Sequence, residues 1–250
     1  MLRTLVTTSI AFTAIALPRA AHAESAAHEL ANAPVIVSAD RLMPLVTYES
    51  VTITNPNNDN ASATVSAVSI AFVTNGPQNT LLTIPRLGFD FVVTSSVTLG
   101  LSAWIAATLS ENIQVKGQSN SQDLPKSTYW GVAPRLGYVL PLADTFALWP
   151  RVGIEYHKQN TSNVTTQVSN VPVSSRGGAQ EYQLDVDVEA AVVFTPVHHF
   201  GIVLTAYGAI PLVGGVSGVT LAGGSVGQSN SGFDAAQLGV GLTLGLLGYL

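Results

Sequence analysis

Between Glu181 and Glu189 the chain alternates polar and apolar residues without a break. Gln183, Asp185, Asp187 and Glu189 share one face of a two-residue repeat, and Tyr182, Leu184, Val186 and Val188 share the other. A helix would spread those acids around its cylinder, so the segment predicts a strand. Val97 to Ala107 repeats the pattern, with Val97, Leu99, Leu101, Ala103 and Ile105 opposed to Thr98, Gly100, Ser102 and Trp104. Leu238, Val240, Leu242 and Leu244 are likewise opposed to Gln237, Gly239, Gly241 and Thr243. The alternation predicts eight strands, over 41–54, 81–93, 97–108, 128–140, 145–157, 181–194, 199–210 and 235–246. One phrase recurs in Pro85-Arg86-Leu87-Gly88, Pro134-Arg135-Leu136-Gly137 and Pro150-Arg151-Val152-Gly153. It puts Arg and Gly on one face, and its prolines suggest a repeated local kink.

The connections alternate in length. Short turns at 94–96, 141–144 and 195–198 separate long Asn-, Ser-, Gly- and Thr-rich segments at 55–80, 109–127, 158–180 and 211–234. Gathering the long loops at one end has no purpose in a soluble sandwich. It is the plan of a transmembrane barrel with an even strand count. Strands near the roughly 9–11 residues of a tilted membrane crossing agree with that plan. The fold class expected is therefore all-β, an eight-stranded antiparallel up-and-down transmembrane β-barrel.

Composition then decides which face looks outward. Only 10% of the 250 residues are charged while 47% are hydrophobic, against roughly 25% charged in soluble domains. The apolar face carries almost no charge in any strand, which suits lipid, and the polar face suits a narrow lumen. Aromatics on the apolar face sort by height: Trp130, Tyr156 and Tyr182 toward the long loops, Phe91, Phe146, Phe194 and Phe200 toward the short turns. The net charge of −5 argues against a nucleic-acid partner. The absence of cysteine removes disulfides and thiolate chemistry.

Residues 1–23 have the layout of an export signal. Arg3 lies in a short basic start, Leu5 to Leu17 is apolar, and Ala21-His22-Ala23 is a small-x-small cleavage site. A mature chain starting at Glu24 is expected, with a flexible leader over 24–40 and the barrel over 41–250.

With this architecture, residues 41–250 resemble the small outer-membrane barrels of Gram-negative bacteria, of the OmpA membrane domain and OmpX type. The resemblance implies a bacterial outer-membrane location, lipid around the wall, and insertion by the barrel-assembly machinery. Such barrels end in a targeting strand, polar-x-Gly-x-x-apolar-x-apolar, which Gln237, Gly239, Leu242 and Leu244 match in order. Family members commonly finish on Phe or Trp, whereas this chain runs on to Tyr249-Leu250.

The inward face is expected to carry Arg41, Glu49, Arg86, Asp90, Arg135, Arg151, Glu155, Asp185, Asp187 and Glu189. The 141–144 turn sets Arg135 near Arg151, and the next hairpin brings Asp185 and Asp187 beside Arg151. Two outcomes follow from such a network: a salt-bridged plug or a charged constriction that selects solutes. His157 falls on the lumen side with Glu155, near the outer rim, but no motif ties them to a nucleophile. Adjacent His198 and His199 in a turn point apart. No catalytic residue, metal ligand or cofactor is expected. The function expected is a structural or surface-interaction barrel, with a narrow passive pore or a soluble exported binding barrel as alternatives. The segment Val65 to Phe72 alternates within the first long loop and is expected to extend a strand beyond the membrane toward surface partners.

Overall fold

The computed structural model describes residues 25–55, 58–70, 84–107, 112–114, 121–123, 127–161, 165–168, 171–174, 179–217 and 233–250. The export signal, its cleavage site and Glu24 lie outside the described residues. Residues 26–32 form helix α1 (Ala26–Asn32). The strands are β1 (Val35–Asn55), β2 (Asn58–Ile70), β3 (Arg86–Thr94), β4 (Val97–Ala107), β5 (Asn112–Gln114), β6 (Ser121–Asp123) and β7 (Ser127–Tyr138). After them come β8 (Leu140–Ala143), β9 (Phe146–Thr161), β10 (Thr165–Val168), β11 (Val171–Ser174), β12 (Ala179–Val197), β13 (Phe200–Ser217) and β14 (Phe233–Tyr249).

Eight of these close a ring. β1, β3, β4, β7, β9, β12, β13 and β14 pair antiparallel in that order, and β14 returns to β1 through Ile36↔Tyr249 up to Thr54↔Asp234. The lower part of β1 pairs with β3, from Val35↔Phe91 to Asp40↔Arg86, while its upper part pairs with β2 from Val46↔Ile70. The ring closes the sheet on itself, the condition for placing strands in lipid, with β2 standing off it as a partner of β1 among the described residues. Along β7 every second residue is buried and the residues between are exposed. Leu99, Leu101, Ile105, Leu136, Ile154 and Val188 are exposed on the outside, while Thr98, Ser102, Arg135, Glu155 and Asp187 are buried within. The aromatics also face outward. Trp130 and Tyr156 touch at the long-loop end (5.6 Å between ring centroids), and Phe146 and Phe194 stack at the short-turn end (4.9 Å). This is a transmembrane β-barrel with its polar face inside. Among the described residues no helix is long and apolar enough to cross a membrane.

Three differences from the sequence expectations have physical causes. Strands β9, β12, β13 and β14 run past the apolar alternation, so residues 158–161, 179–180, 211–217 and 233–234 belong to strands instead of loops, whereas the strand expected over 81–93 begins only at Arg86. A ladder needs only paired backbones, whereas apolar residues are needed only where lipid touches it. On β1 the outward side changes from Val46 and Tyr48 to Ser50 and Thr52, and β2 answers with Ser66 and Thr64, each hydroxyl bonded across the pair. The hairpin thus continues as a hydroxyl-rich ribbon. The register passes Pro134 and Pro150 without a shift, and Pro85 lies before β3, so the three prolines share no common irregularity of the ladder. Irregularities fall instead around Pro44 on β1 and Pro211 on β13.

The third difference is the leader. Ser25 caps α1 by accepting from the His28 N–H (3.4 Å), and Pro34 keeps Ala33 extended, which ends the helix. Ala27, Leu30 and Ala31 recur at helical spacing and are buried against Val139, Trp149, Val193, Val203 and Leu247, inside the short-turn end of the barrel. Backbone hydrogen bonds tie the helix to two turns, Ala27 N–H to Asp144 O (3.2 Å) and Ser96 N–H to Ala31 O (3.1 Å). Glu29 pairs with His198 of a third (2.7 Å). The segment expected to be a flexible leader over 24–40 is thus a helix packed inside the short-turn end, followed by the first six residues of β1, which begins at Val35 and not at 41.

Candidate functional site

The lumen is the site. Arg41, Glu49, Arg86, Asp90, Arg135, Arg151, Glu155, Asp185, Asp187 and Glu189 are all buried there. Most of them join one continuous chain of contacts that crosses the barrel repeatedly. At its lower end Arg135 donates through Nε to Asp90 Oδ1 (2.9 Å) and through Nη1 to Asp40 Oδ2 (2.6 Å). Asp40 also meets Arg151 (3.4 Å), whose Nε lies 2.7 Å from Glu189 Oε2. Glu189 Oε1 accepts from Arg41 Nη2 (3.3 Å), which also donates to Asp187 Oδ1 (3.1 Å). Asp187 continues to Arg86 (3.4 Å), and Arg86 Nη2 donates to Glu155 Oε1 (2.8 Å). At the upper end His157 Nδ1 lies 3.6 Å from Glu155 Oε1 and 3.4 Å from Asp185 Oδ2. Gln183 then donates to Asp185 Oδ1 (2.5 Å) and exchanges two bonds with the Gln237 backbone (2.9 Å each).

Glycines on neighbouring strands make room for the long side chains. The repeated Arg-x-Gly is read in opposite directions on β7 and β9, so Arg135 faces Gly153 and Gly137 faces Arg151. A Cβ on Gly153 would collide with the Pro134 carbonyl and press on Arg135 Cβ. On the other side of Arg135 stands Gly100, and a Cβ there would strike Asp90. Arg135 therefore reaches past β4 to an acid on β3. Flat guanidinium groups also lie over rings: Arg41 over Tyr207 (4.0 Å), Arg86 over Trp104 (3.9 Å) and Arg151 over Trp149 (4.5 Å). Such stacking compensates part of the water lost on burial.

Two details depart from the sequence expectation. Arg151 meets Asp40 and Glu189, not Asp185 and Asp187, because Glu189 is the residue registered opposite Arg151. Asp187 instead bridges Arg41 and Arg86, and Asp185 sits with His157 and Gln183. Asp40 itself escaped sequence reasoning. Alternation from Arg41 turns Asp40 outward, yet both are buried. The ladder with β14 is irregular between Ala39 and Met43, and Arg41 has φ 57°. A bulge with a left-handed residue turns two consecutive side chains inward. Gln183 and Trp104, which parity placed on the polar face, line the interior as well, as do Ser38, Trp149 and Tyr207, which the pattern did not single out.

Of the expected targeting residues, Gln237 and Gly239 face inward and are buried, while Leu242 and Leu244 are half-buried on the outer side of β14. His198 is exposed in its turn beside Glu29, and His199 Nδ1 lies 3.0 Å from the Tyr249 carbonyl. The two do not share a ligand position.

No family model and no curated protein sequence matches this chain. Several solved structures are similar in form. Neisserial surface protein A shares 7% identity at TM-score 0.38, covering 87% of this chain and 98% of that one. The outer membrane protein OprG from Pseudomonas aeruginosa shares 11% identity at TM-score 0.41, with 87% and 97% covered. The outer membrane protease OmpT from Escherichia coli shares 7% identity at TM-score 0.42, with 86% and 96% covered. The barrel assignment for this chain rests on its own closed register and outward apolar face.

Proposed function

We propose that this chain is a structural and surface-interaction barrel of a bacterial outer membrane, with a lumen that does not conduct. The observation that carries the reading is double closure. The ionic chain from Asp90 to Gln237 fills the middle of the lumen, and α1 with Trp149 fills the short-turn end. Solutes would have to break several buried charge contacts and then displace an apolar stopper. An open membrane pore keeps a water-filled channel, which needs a wider barrel. The outward apolar wall disfavours the soluble alternative, because a large exposed apolar surface in water aggregates. Interaction would fall to the external hairpins, of which the β1–β2 ribbon carries a row of hydroxyls. Lipid and the barrel-assembly machinery are its other partners in this reading.

The decisive experiment pairs planar-bilayer recording with a surface-binding assay. Wild-type barrel should give no steady current steps, and expressing cells should adhere to protein- or glycan-coated surfaces through the external loops. Replacing residues 56–66 by a short turn should reduce adherence while leaving heat-modifiable gel mobility intact. Steady conductance from the wild type would favour the pore, and adherence equal to that of non-expressing cells would remove the interaction role.

A further inference from the structure

We propose that Glu155, His157 and Asp185 form a binding site for a divalent first-row transition-metal ion, opening toward the outer mouth of the lumen. The three are buried, and each can offer a ligand atom within 4.8 Å of the other two. His157 is only 3% exposed, yet among the described residues neither ring nitrogen has a hydrogen-bond partner. Its Nδ1 points between the two carboxylates, 3.4 Å from Asp185 Oδ2 and 3.6 Å from Glu155 Oε1. Asp185 Oδ2 lacks a hydrogen bond as well. With metal–ligand bonds of about 2.1 Å, neighbouring donors of a tetrahedral site stand roughly 3.4 Å apart. Two edges of the triangle therefore already have the required length.

The surroundings hold these ligands as an ion would need them held. Asp185 Oδ1 accepts from Gln183 Nε2, which turns Oδ2 toward His157. Glu155 is fixed by Arg86, whose Nη2 donates to Oε1 and whose Nη1 lies 2.8 Å from Oε2, so an ion would share Oε1 with the guanidinium. Such outer hydrogen bonds fix first ligands and raise affinity. Charge favours a cation too. Among the described residues four buried arginines face seven buried acids, and the one ion-pair contact of Asp185 is with His157. One imidazole with two carboxylates suits zinc, manganese, iron, cobalt or nickel, whereas magnesium and calcium prefer oxygen alone. Toward the long-loop end, Gln159 and Glu181, a registered pair, stand directly above His157 and Gln183 on the same face. The opposite end is stopped by α1. Lumen water would complete the coordination, so the site would capture an ion and leave a position open.

This inference is independent of the interaction role proposed above, since it concerns the lumen and not the loops. The test uses the full-length exported barrel, extracted in detergent and stripped with chelator. Cobalt(II) titration should produce the visible absorption of a low-coordinate N,O site, at one ion per chain, and zinc should bleach it. Asp185→Asn, which is nearly isosteric, and His157→Ala should each weaken cobalt binding about tenfold or more. His198→Ala, which removes an exposed histidine at the other end, should bind as the wild type does. A His157 that merely carries a proton between two acids would give no cobalt spectrum in the wild type, and that result overturns the site. So does cobalt affinity in Asp185→Asn equal to that of the wild type, or a spectrum that disappears in His198→Ala.

Discussion

Arg151 shows what a single residue does in this lumen. Its guanidinium serves Asp40 and Glu189 and lies over Trp149. Arg151→Ala leaves two buried acids with fewer cations and opens space beneath the ring. Breaking one side of a buried ion pair costs about 3–5 kcal/mol, less where lumen water can reach the orphaned charge. Urea unfolding in detergent should therefore give a lower midpoint for this variant. Combining it with Asp40→Asn and Glu189→Gln should restore much of the loss, because the contacts are coupled and not additive. A single variant as stable as wild type would show that the network is solvated and contributes little. The same residue marks what sequence could and could not supply. Parity assigned the face of every expected charge, since a two-residue repeat fixes inside against outside. It gave no height. A two-residue change in register keeps the face but exchanges Asp187 for Glu189 opposite Arg151. Asp40 was hidden for a different reason: a local bulge at Arg41, with φ 57°, breaks the parity on which the reading depended.

At the scale of elements, α1 was the least legible and β4, expected over 97–108 and observed as Val97–Ala107, the most. The helix is only seven residues long, too short to form alone, so its stability comes from the barrel that receives it. Nothing in its Ala-rich sequence states that a cavity lined by Val139, Trp149 and Val203 awaits Leu30. Leu30→Asp would put an unpaired carboxylate into that apolar pocket. We expect a fall in stability of about 2–5 kcal/mol, the scale of losing a buried leucine, read as a lower denaturation midpoint. Protection of the α1 amides from hydrogen exchange should disappear in the same variant while the strands stay protected. Conductance should remain absent, because the ionic chain above still fills the lumen. β14 can be tested in the cell. Leu244→Asp places a charge on the outer face, where lipid exacts a depth-dependent cost of up to about 2–4 kcal/mol for basic residues and less for acidic ones. If Gln237, Gly239, Leu242 and Leu244 act as an assembly signal, this variant should accumulate unfolded in the periplasm. Normal insertion would end the assignment of Leu244 to that role.

For the whole molecule, burial and location together predict what a protease can reach. Arg86, Arg135 and Arg151 are enclosed by the wall and tied into the ionic chain. Lys158, which falls in a loop by sequence pattern, is part of β9 and is registered between Trp130 and Tyr182. Proteolysis needs several residues of extended, accessible backbone, so a basic residue inside a paired strand is a poor substrate. Lys116, Lys126 and Arg176, whose long loops are the expected cutting sites, lie outside the described residues. Trypsin added to intact cells should therefore cut in those loops and spare Lys158 along with the three lumen arginines. Peptide mass analysis of the digested membrane would locate every cut, and the surviving core should keep its heat-modifiable mobility. Cleavage at Lys158 alone would mean that the upper ends of β9 and β12 open in the membrane-bound protein. The Glu155–His157–Asp185 cluster would then lie at an exposed rim. Cleavage after Arg135 or Arg151 in a folded barrel would be more serious, because it would exchange inside for outside. Closed lumen and ion capture from above would then fail together, since both depend on the charged face being enclosed, while the interaction role rests on the external loops and is judged by adherence alone.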